Sequence, residues 1–262
     1  MIFLPIIIFI FGLIIGSFLN VVILRINTGR SIVKGHSKCA NCSNKLKWYE
    51  LIPVFSFLFL KGKCRSCKNQ ISFQYALVEL ATALTFTISY IRIVLNSGFS
   101  DKSWLVFVFS MIISSFLIVI LIYDLRHKII PDNVVYPFIV FALISIFWKF
   151  FILQNFNLFG ALFDGVLVAL PFFLLWFLSK GKLMGFGDVK LTLGIGWLLG
   201  LSGGFAALFI SFWFGGIIGL FLIALSREYK MKSEVPFGPF LILGVFIVGL
   251  WGLTINSLLP IW

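Results

Sequence analysis

The chain has 262 residues, of which 61% are hydrophobic, 18% aromatic and only 11% charged, with a formal net charge of +12. A mean hydropathy of +1.11 excludes an ordinary soluble domain, whose apolar fraction is nearer one half. The positive charge is not a nucleic-acid footprint, because it is concentrated in four stretches, 25–73, 126–128, 180–190 and 227–232, that punctuate apolar runs.

A hydrocarbon core of roughly 30 Å takes about 20 helical residues to cross. Segments near 2–24, 74–95, 104–123, 133–152, 158–178, 205–225 and 236–257 have that length. The first is expected to be a retained span rather than a signal peptide: it lacks a basic leading region, it is long, and its first cation, Arg25, follows the apolar run. An eighth segment, 189–200, is shorter, spanning about 18 Å at roughly 1.5 Å per residue. Gly200, Gly203 and Gly204 then permit a break. Such a segment implies a thinned bilayer or a water-filled cavity lined by other helices. The predicted fold is an all-α polytopic membrane protein of about eight transmembrane helices with a small zinc-ribbon-like loop. Its divisions are a first helix at 1–24, a loop at 25–73, and the remaining helices over 74–262.

Basic loops stay cytoplasmic. With eight spans the four cationic stretches share that side, and both termini lie outside. The outer loops at 96–103 and 153–157 then hold a single cation, Lys102. The charge also attracts anionic membrane lipid.

Within the loop, Cys39-Ala-Asn-Cys42 and Cys64-Arg-Ser-Cys67 are separated by 21 residues and contain every cysteine in the chain. This is zinc-ribbon spacing, with four thiolates around one structural zinc. Two disulfides are the competing reading, which a reducing cytoplasmic side disfavours. The metal staples a loop too small to build its own core. His36, three residues before Cys39, reads as a solvated loop residue rather than a ligand. Between the knuckles, the apolar stretch 48–60 is too short to span and is interrupted by Pro53. Flanked by lysines, it is expected to lie on the membrane surface or the helix bundle.

Two carboxylates stand at the edges of apolar runs, where burial is costly unless the group is used or paired. Asp124 ends one run and sits where the helix macrodipole disfavours an anion, with Arg126, His127 and Lys128 as candidate partners. Asp188 opens another, after Gly185-Phe186-Gly187, and also reads as an N-cap. Topology puts both on the cytoplasmic side. Two carboxylates a few ångströms apart share one proton, the arrangement of an aspartyl protease. Gly185 and Gly187 allow the backbone to approach a substrate strand. Asp132 reads as a helix cap, Asp164 as a buried or interfacial polar contact near the outer face, and Glu79 as a residue near the cytoplasmic end of the second span that lines the site.

The GFGD at 185–188 is the GxGD signature of membrane aspartyl proteases. It follows the DLRHKIIPD stretch at 124–132, GLIIGSFLNVVILR at 12–25, the paired CxxC loop, ELIPVFSF at 50–57 and QYALVEL at 74–80, and precedes PFGPFLILG at 236–244. In this combination the chain resembles the bacterial type IV prepilin peptidases. The departures are small: Ala40 and Asn41 stand where the family often has proline or tyrosine.

The resemblance implies that Asp124 and Asp188 are catalytic and that the substrates are type IV prepilins or pseudopilins. These are cut at the cytoplasmic face of the inner membrane, after a glycine that precedes an apolar residue. It also implies N-methylation of the new terminus with S-adenosylmethionine, for which the sequence offers no binding residues. Two other readings are a presenilin-like protease acting on other substrates and a non-enzymatic transporter or assembly scaffold, its acids serving as proton or cation sites. The zinc loop and interfacial acids argue against the first. The lack of a convincing internal repeat argues against the second. Neither the pilins processed nor the oligomeric state is legible.

Overall fold

A computed structural model describes residues 3–39, 41–96, 98–152, 157–225 and 236–258. The cationic stretch 227–232, Ala40 and all but the last residue of the loop 153–157 lie outside the described residues. Among the described residues the regular structure is helical throughout, apart from two isolated antiparallel bridges, Lys38 with Lys45 and Lys63 with Gln70. The chain forms two compact units, Met1–Val119 and Ile120–Trp262.

In the first unit, α1 (Phe3–Arg25) packs on α3 (Gln74–Tyr90), which continues as a π-helical turn over Ile91–Leu95. Gly12 and Gly16, one turn apart, bring the two backbones together. A β-carbon at Gly12 would lie 2.5 Å from Ala83 Cα, and one at Gly16 2.6 Å from Glu79 Cα. Between membrane helices, such small residues supply the close contact that a hydrophobic driving force cannot. Asn20, buried on α1, donates from Nδ2 to the Tyr75 carbonyl at 3.1 Å. Farther along, Ile8, Phe86, Tyr90, Val94 and Phe107 form the unit's apolar core, Phe107 belonging to α4 (Asp101–His127).

The second unit takes the end of α4 with α5 (Asp132–Ile152), α6 (Leu158–Ser179), α7 (Phe186–Leu225), α8 (Gly238–Trp251) and the short α9 (Ile255–Leu258). Again glycines set the packing: a β-carbon at Gly196 of α7 would stand 2.7 Å from Gly165 Cα of α6. The helix α7 is broken at Gly200, whose φ of 75° and ψ of 177° are not helical. The break frees a backbone carbonyl that a neighbouring side chain engages. Lys149 Nζ donates to the Leu198 carbonyl at 3.0 Å. Separately, Trp197 of α7 is tied to α6, its Nε1 donating to the Leu162 carbonyl at 2.9 Å. Asp164 stands beside the break, its Oδ2 3.6 Å from where a Gly200 β-carbon would be.

Six described helices are long and apolar enough to cross a membrane, and α8, at 14 residues, is a shorter apolar helix. The protein is an integral membrane protein built from helices. The count of about eight differs for two physical reasons. The segment before the Gly200 break is too short to cross by itself, and the last span is cut to 14 residues, closing at Gly252 with left-handed φ of 65°.

Candidate active site

Asp124 lies in the last turn of α4 and is buried, 4% exposed. The helix ends three residues later, and Lys128 closes it with a left-handed φ of 54°, its N–H donating to the Asp124 carbonyl at 2.8 Å. Arg126, His127 and Lys128 are exposed. The ion pair at this end of the unit joins other residues: Lys190 Nζ to Asp132 Oδ1 at 2.6 Å. Asp132 is the first residue of α5, not its cap; the first turn's amides of Val134 and Val135 go to the Pro131 carbonyl. The carboxylate therefore ties α5 to the first turn of α7. Lys190 also lies over the Tyr136 ring, 4.8 Å from its centroid.

Asp188 is half-buried and is the third residue of α7, so it too sits inside the helix rather than capping it. Near a helix N-terminus the macrodipole favours an anion. Its backbone is fixed by an N–H donated to the Gly185 carbonyl at 3.3 Å and by Thr192 Oγ1 donating to its carbonyl at 2.9 Å. The Asp124 and Asp188 carboxylates are near enough for the charge of one to act on the other.

Two glycines complete the enclosure. Gly187 packs on Ile130, where a β-carbon would meet Ile130 Cβ at 2.9 Å. Gly238, opening α8, turns its backbone amide toward Asp124. A β-carbon there would lie 2.5 Å from Asp124 Oδ2 and 3.5 Å from Ile130 Cδ1. Four pieces of chain thus meet around the pair: the end of α4, the turn holding Ile130, and the starts of α7 and α8. Gly185 is exposed on the approach to α7. In the sequence the segment 236–244 carries only a family pattern. The signal that Gly238 belongs at the site was its place just before an apolar helix, and that alone is too common to be telling.

Glu79 lies in the first unit, buried at 7% exposure. Its Oε2 accepts the Val54 amide at 2.7 Å. Val54 has φ of 61°, a left-handed conformation that a β-branched residue adopts only under constraint.

The four cysteines converge as well. Their sulfurs all lie within 4.8 Å of one another, and Cys39 Sγ is 3.9 Å from Cys67 Sγ. A tetrahedron with zinc–sulfur bonds of about 2.3 Å has edges of about 3.8 Å, so the four thiols fit the ion. The two knuckles repeat one another: Cys39 N–H donates to Asn44 O at 3.0 Å and Cys64 N–H to Asn69 O at 2.8 Å. The residues after the second cysteine of each, Ser43 and Lys68, turn through φ of 57° and 58°. Backbone amides of Cys42 and Asn69 favour the thiolates of Cys39 and Cys67 respectively, lowering both and bringing Cys67 to about 6. His36 is exposed and outside this group.

Helices of membrane-crossing length with a carboxylate pair gathered at helix ends define a polytopic membrane protein with a buried acidic centre. Residues 10–93 match the Bacterial Peptidase A24 N-terminal domain, and residues 111–220 match the Type IV leader peptidase family. Over 255 residues the chain is 35% identical to the prepilin leader peptidase/N-methyltransferase of Bacillus subtilis (strain 168), covering 96% of each chain. It is 33% identical over 265 residues to a protein of that name from Xanthomonas campestris pv. campestris, covering 92% of this chain and 89% of the relative. Another from Pseudomonas aeruginosa is 33% identical over 269 residues, covering 92% and 88%. No solved structure matches. The chain belongs to the type IV leader peptidase family.

Proposed function

We propose that the protein is a prepilin leader peptidase in which Asp124 and Asp188 form the catalytic pair. The observation that supports this is their convergence: residues 64 positions apart, on the last turn of α4 and the first turn of α7, are gathered at Ile130, against which both Gly187, next to Asp188, and Gly238, next to the Asp124 carboxylate, are packed. The substrates are type IV prepilins or pseudopilins, cut at the cytoplasmic face of the inner membrane after a glycine.

The two carboxylates share one proton. The ionised member takes a proton from water, and the water oxygen forms a bond to the scissile carbonyl carbon. The protonated member donates a hydrogen bond to the carbonyl oxygen. As the C–N bond breaks, a proton passes to the leaving amine, and the pair returns to its singly protonated state. Gly185 and Gly187 leave room for an extended substrate backbone. Glu79 is engaged within its own unit, by the Val54 amide and by Ser17, and takes no step in this chemistry.

Cys39, Cys42, Cys64 and Cys67 hold one structural zinc, which fixes the loop 25–73 between the first helix and the rest of the chain. The cationic loops orient the molecule with both termini outside and hold it to anionic lipid. S-adenosylmethionine, when bound, would be the methyl donor for the new N-terminal amine, and no side chain of this chain is assigned to it.

The test is incubation of the purified protein with a prepilin, with and without the methyl donor, followed by weighing of the products. Cleavage after glycine is expected in both, and one added methyl group only with the donor. Intact prepilin would remove the peptidase reading. Complete cleavage without methylation would leave a peptidase alone.

A further inference from the structure

The stretch between the zinc knuckles forms a 3-10 turn at Trp48–Leu51 and a helix, α2, at Phe55–Phe59. Its large apolar side chains do not fold inward. Trp48, Leu51, Ile52, Phe55, Leu58 and Phe59 are all exposed, Trp48 at 78% and Phe59 at 83%. They lie on two short turns joined through Pro53 and Val54, Trp48 and Leu51 one turn apart on the first and Phe55 and Leu58 on the second, and so much exposed apolar surface within twelve residues expects an apolar neighbour. The opposite side is taken: Phe57 packs edge-on against Phe73, with centroids 5.9 Å apart, and closes over Gly62.

Charge around the stripe is one-sided. Residues 25–73 hold ten lysines and arginines against a single acid, Glu50. That acid is occupied, its Oε2 accepting the Lys47 amide at 2.7 Å. The stripe borders an open cleft of about 280 Å³ walled by Ile52, Phe55, Phe59 and Leu60, with Tyr49, Arg65 and the Lys47-bound Glu50 also on its lining. The Arg65 guanidinium donates to Tyr49 Oη at 2.5 Å and lies 5.2 Å from the centre of its ring. A guanidinium so held, beside an apolar cleft, suits a phosphate whose tail is hydrocarbon. Both ends of the loop join membrane-crossing helices, α1 and α3, which keep it within reach of the bilayer.

We infer that this stripe is a lipid-docking surface. Residues 48–59 seat in the headgroup–acyl boundary of an anionic leaflet, with Arg65 engaging a lipid phosphate and the surrounding lysines adding attraction. Aromatic side chains anchor at that depth, and lysine stems reach from it to water.

The experiment uses the full-length protein in nanodiscs of phosphatidylglycerol or of phosphatidylcholine alone. A photo-crosslinking amino acid replaces Phe59 or, as the inward-facing control, Phe57. Phospholipid adducts are expected at position 59 and not at 57, with the yield higher in phosphatidylglycerol. In the Phe59-substituted protein, Arg65→Gln is expected to cut the preference for phosphatidylglycerol about fivefold, the effect of roughly 1 kcal/mol per surface cation. Retained zinc identifies a folded loop in each variant, and only such samples count. Equal adducts at both positions, adducts to polypeptide only, no adduct, or a lipid preference unmoved by Arg65→Gln would overturn the inference. The readout needs no proteolysis, so it stands apart from the peptidase reading.

Discussion

Gly238 approaches Asp124 so closely that no β-carbon fits between them; one placed on the glycine would stand 2.5 Å from the carboxylate oxygen. The start of α8 therefore fixes where that oxygen can be. Gly238→Ala should insert normally yet push the Asp124 side chain off its position. A displacement of about 1 Å costs roughly a hundredfold in rate when geometry governs the chemistry. Prepilin cleavage at matched membrane levels is the measurement, and near wild-type turnover would show that the carboxylate has slack.

If Asp124 and Asp188 work as one unit, Asn at either should reduce cleavage by about a thousandfold or more, and the double variant should be little worse than either single one. Asn keeps the size while removing the group that takes and returns a proton. Asp132→Asn should keep most activity, because its partner Lys190 is met at an exposed edge, where such a pair contributes roughly 0–1 kcal/mol. Cleavage assays of the four variants decide it; a dead Asp132→Asn beside an active Asp124→Asn would move the first catalytic role to residue 132.

The tetracysteine site predicts one equivalent of zinc per chain. Cys39→Ser or Cys64→Ser should lose the ion and raise the protease sensitivity of residues 25–73 before abolishing cleavage outright. Metal analysis of undamaged wild-type protein is the direct check. Less than about a tenth of an equivalent would leave the thiols as a redox pair, since a closed four-thiolate site holds its ion tightly.

Lys149 binds a carbonyl that the broken helix leaves free, so its loss should loosen α7 locally. A hydrogen bond to a charged group contributes about 1.5–3 kcal/mol, enough for Lys149→Met to speed amide exchange over 186–199 by roughly tenfold or more. Exchange in the loop 25–73 should not change. Lys149→Arg, which can still donate, should recover most of the protection. Unaltered exchange in Lys149→Met would make the contact incidental.

Much of this was legible beforehand because the signals are periodic or spaced. Apolar runs located the helices, the paired CxxC located the thiol cluster, and a glycine-rich stretch located the break that the structure puts at Gly200. Asp124 and Asp188 stood out because carboxylates are scarce beside apolar runs. The partners were not legible. Asp132 looked like a cap, since its place before a helix is a local cue, whereas its attachment to Lys190 spans 58 residues. Nor could a sequence reveal that Lys149 would meet Leu198, because a lysine near a helix end ordinarily faces water, and only the break supplies a bare carbonyl. The left-handed Val54 was hidden for the same reason: Glu79 imposes it from 25 residues away.

Gly200 also bears on heredity. A backbone with φ of 75° and ψ of 177° lies in a region that only glycine occupies at small cost. Every missense change in that one codon introduces a β-carbon, so no mutational path crosses the position without strain. The short helix carrying Asp188 therefore depends, at its far end, on a letter that variation can erase but not rephrase, and a saturation library should show a narrow intolerant column there beside a more permissive neighbour at the exposed Leu201.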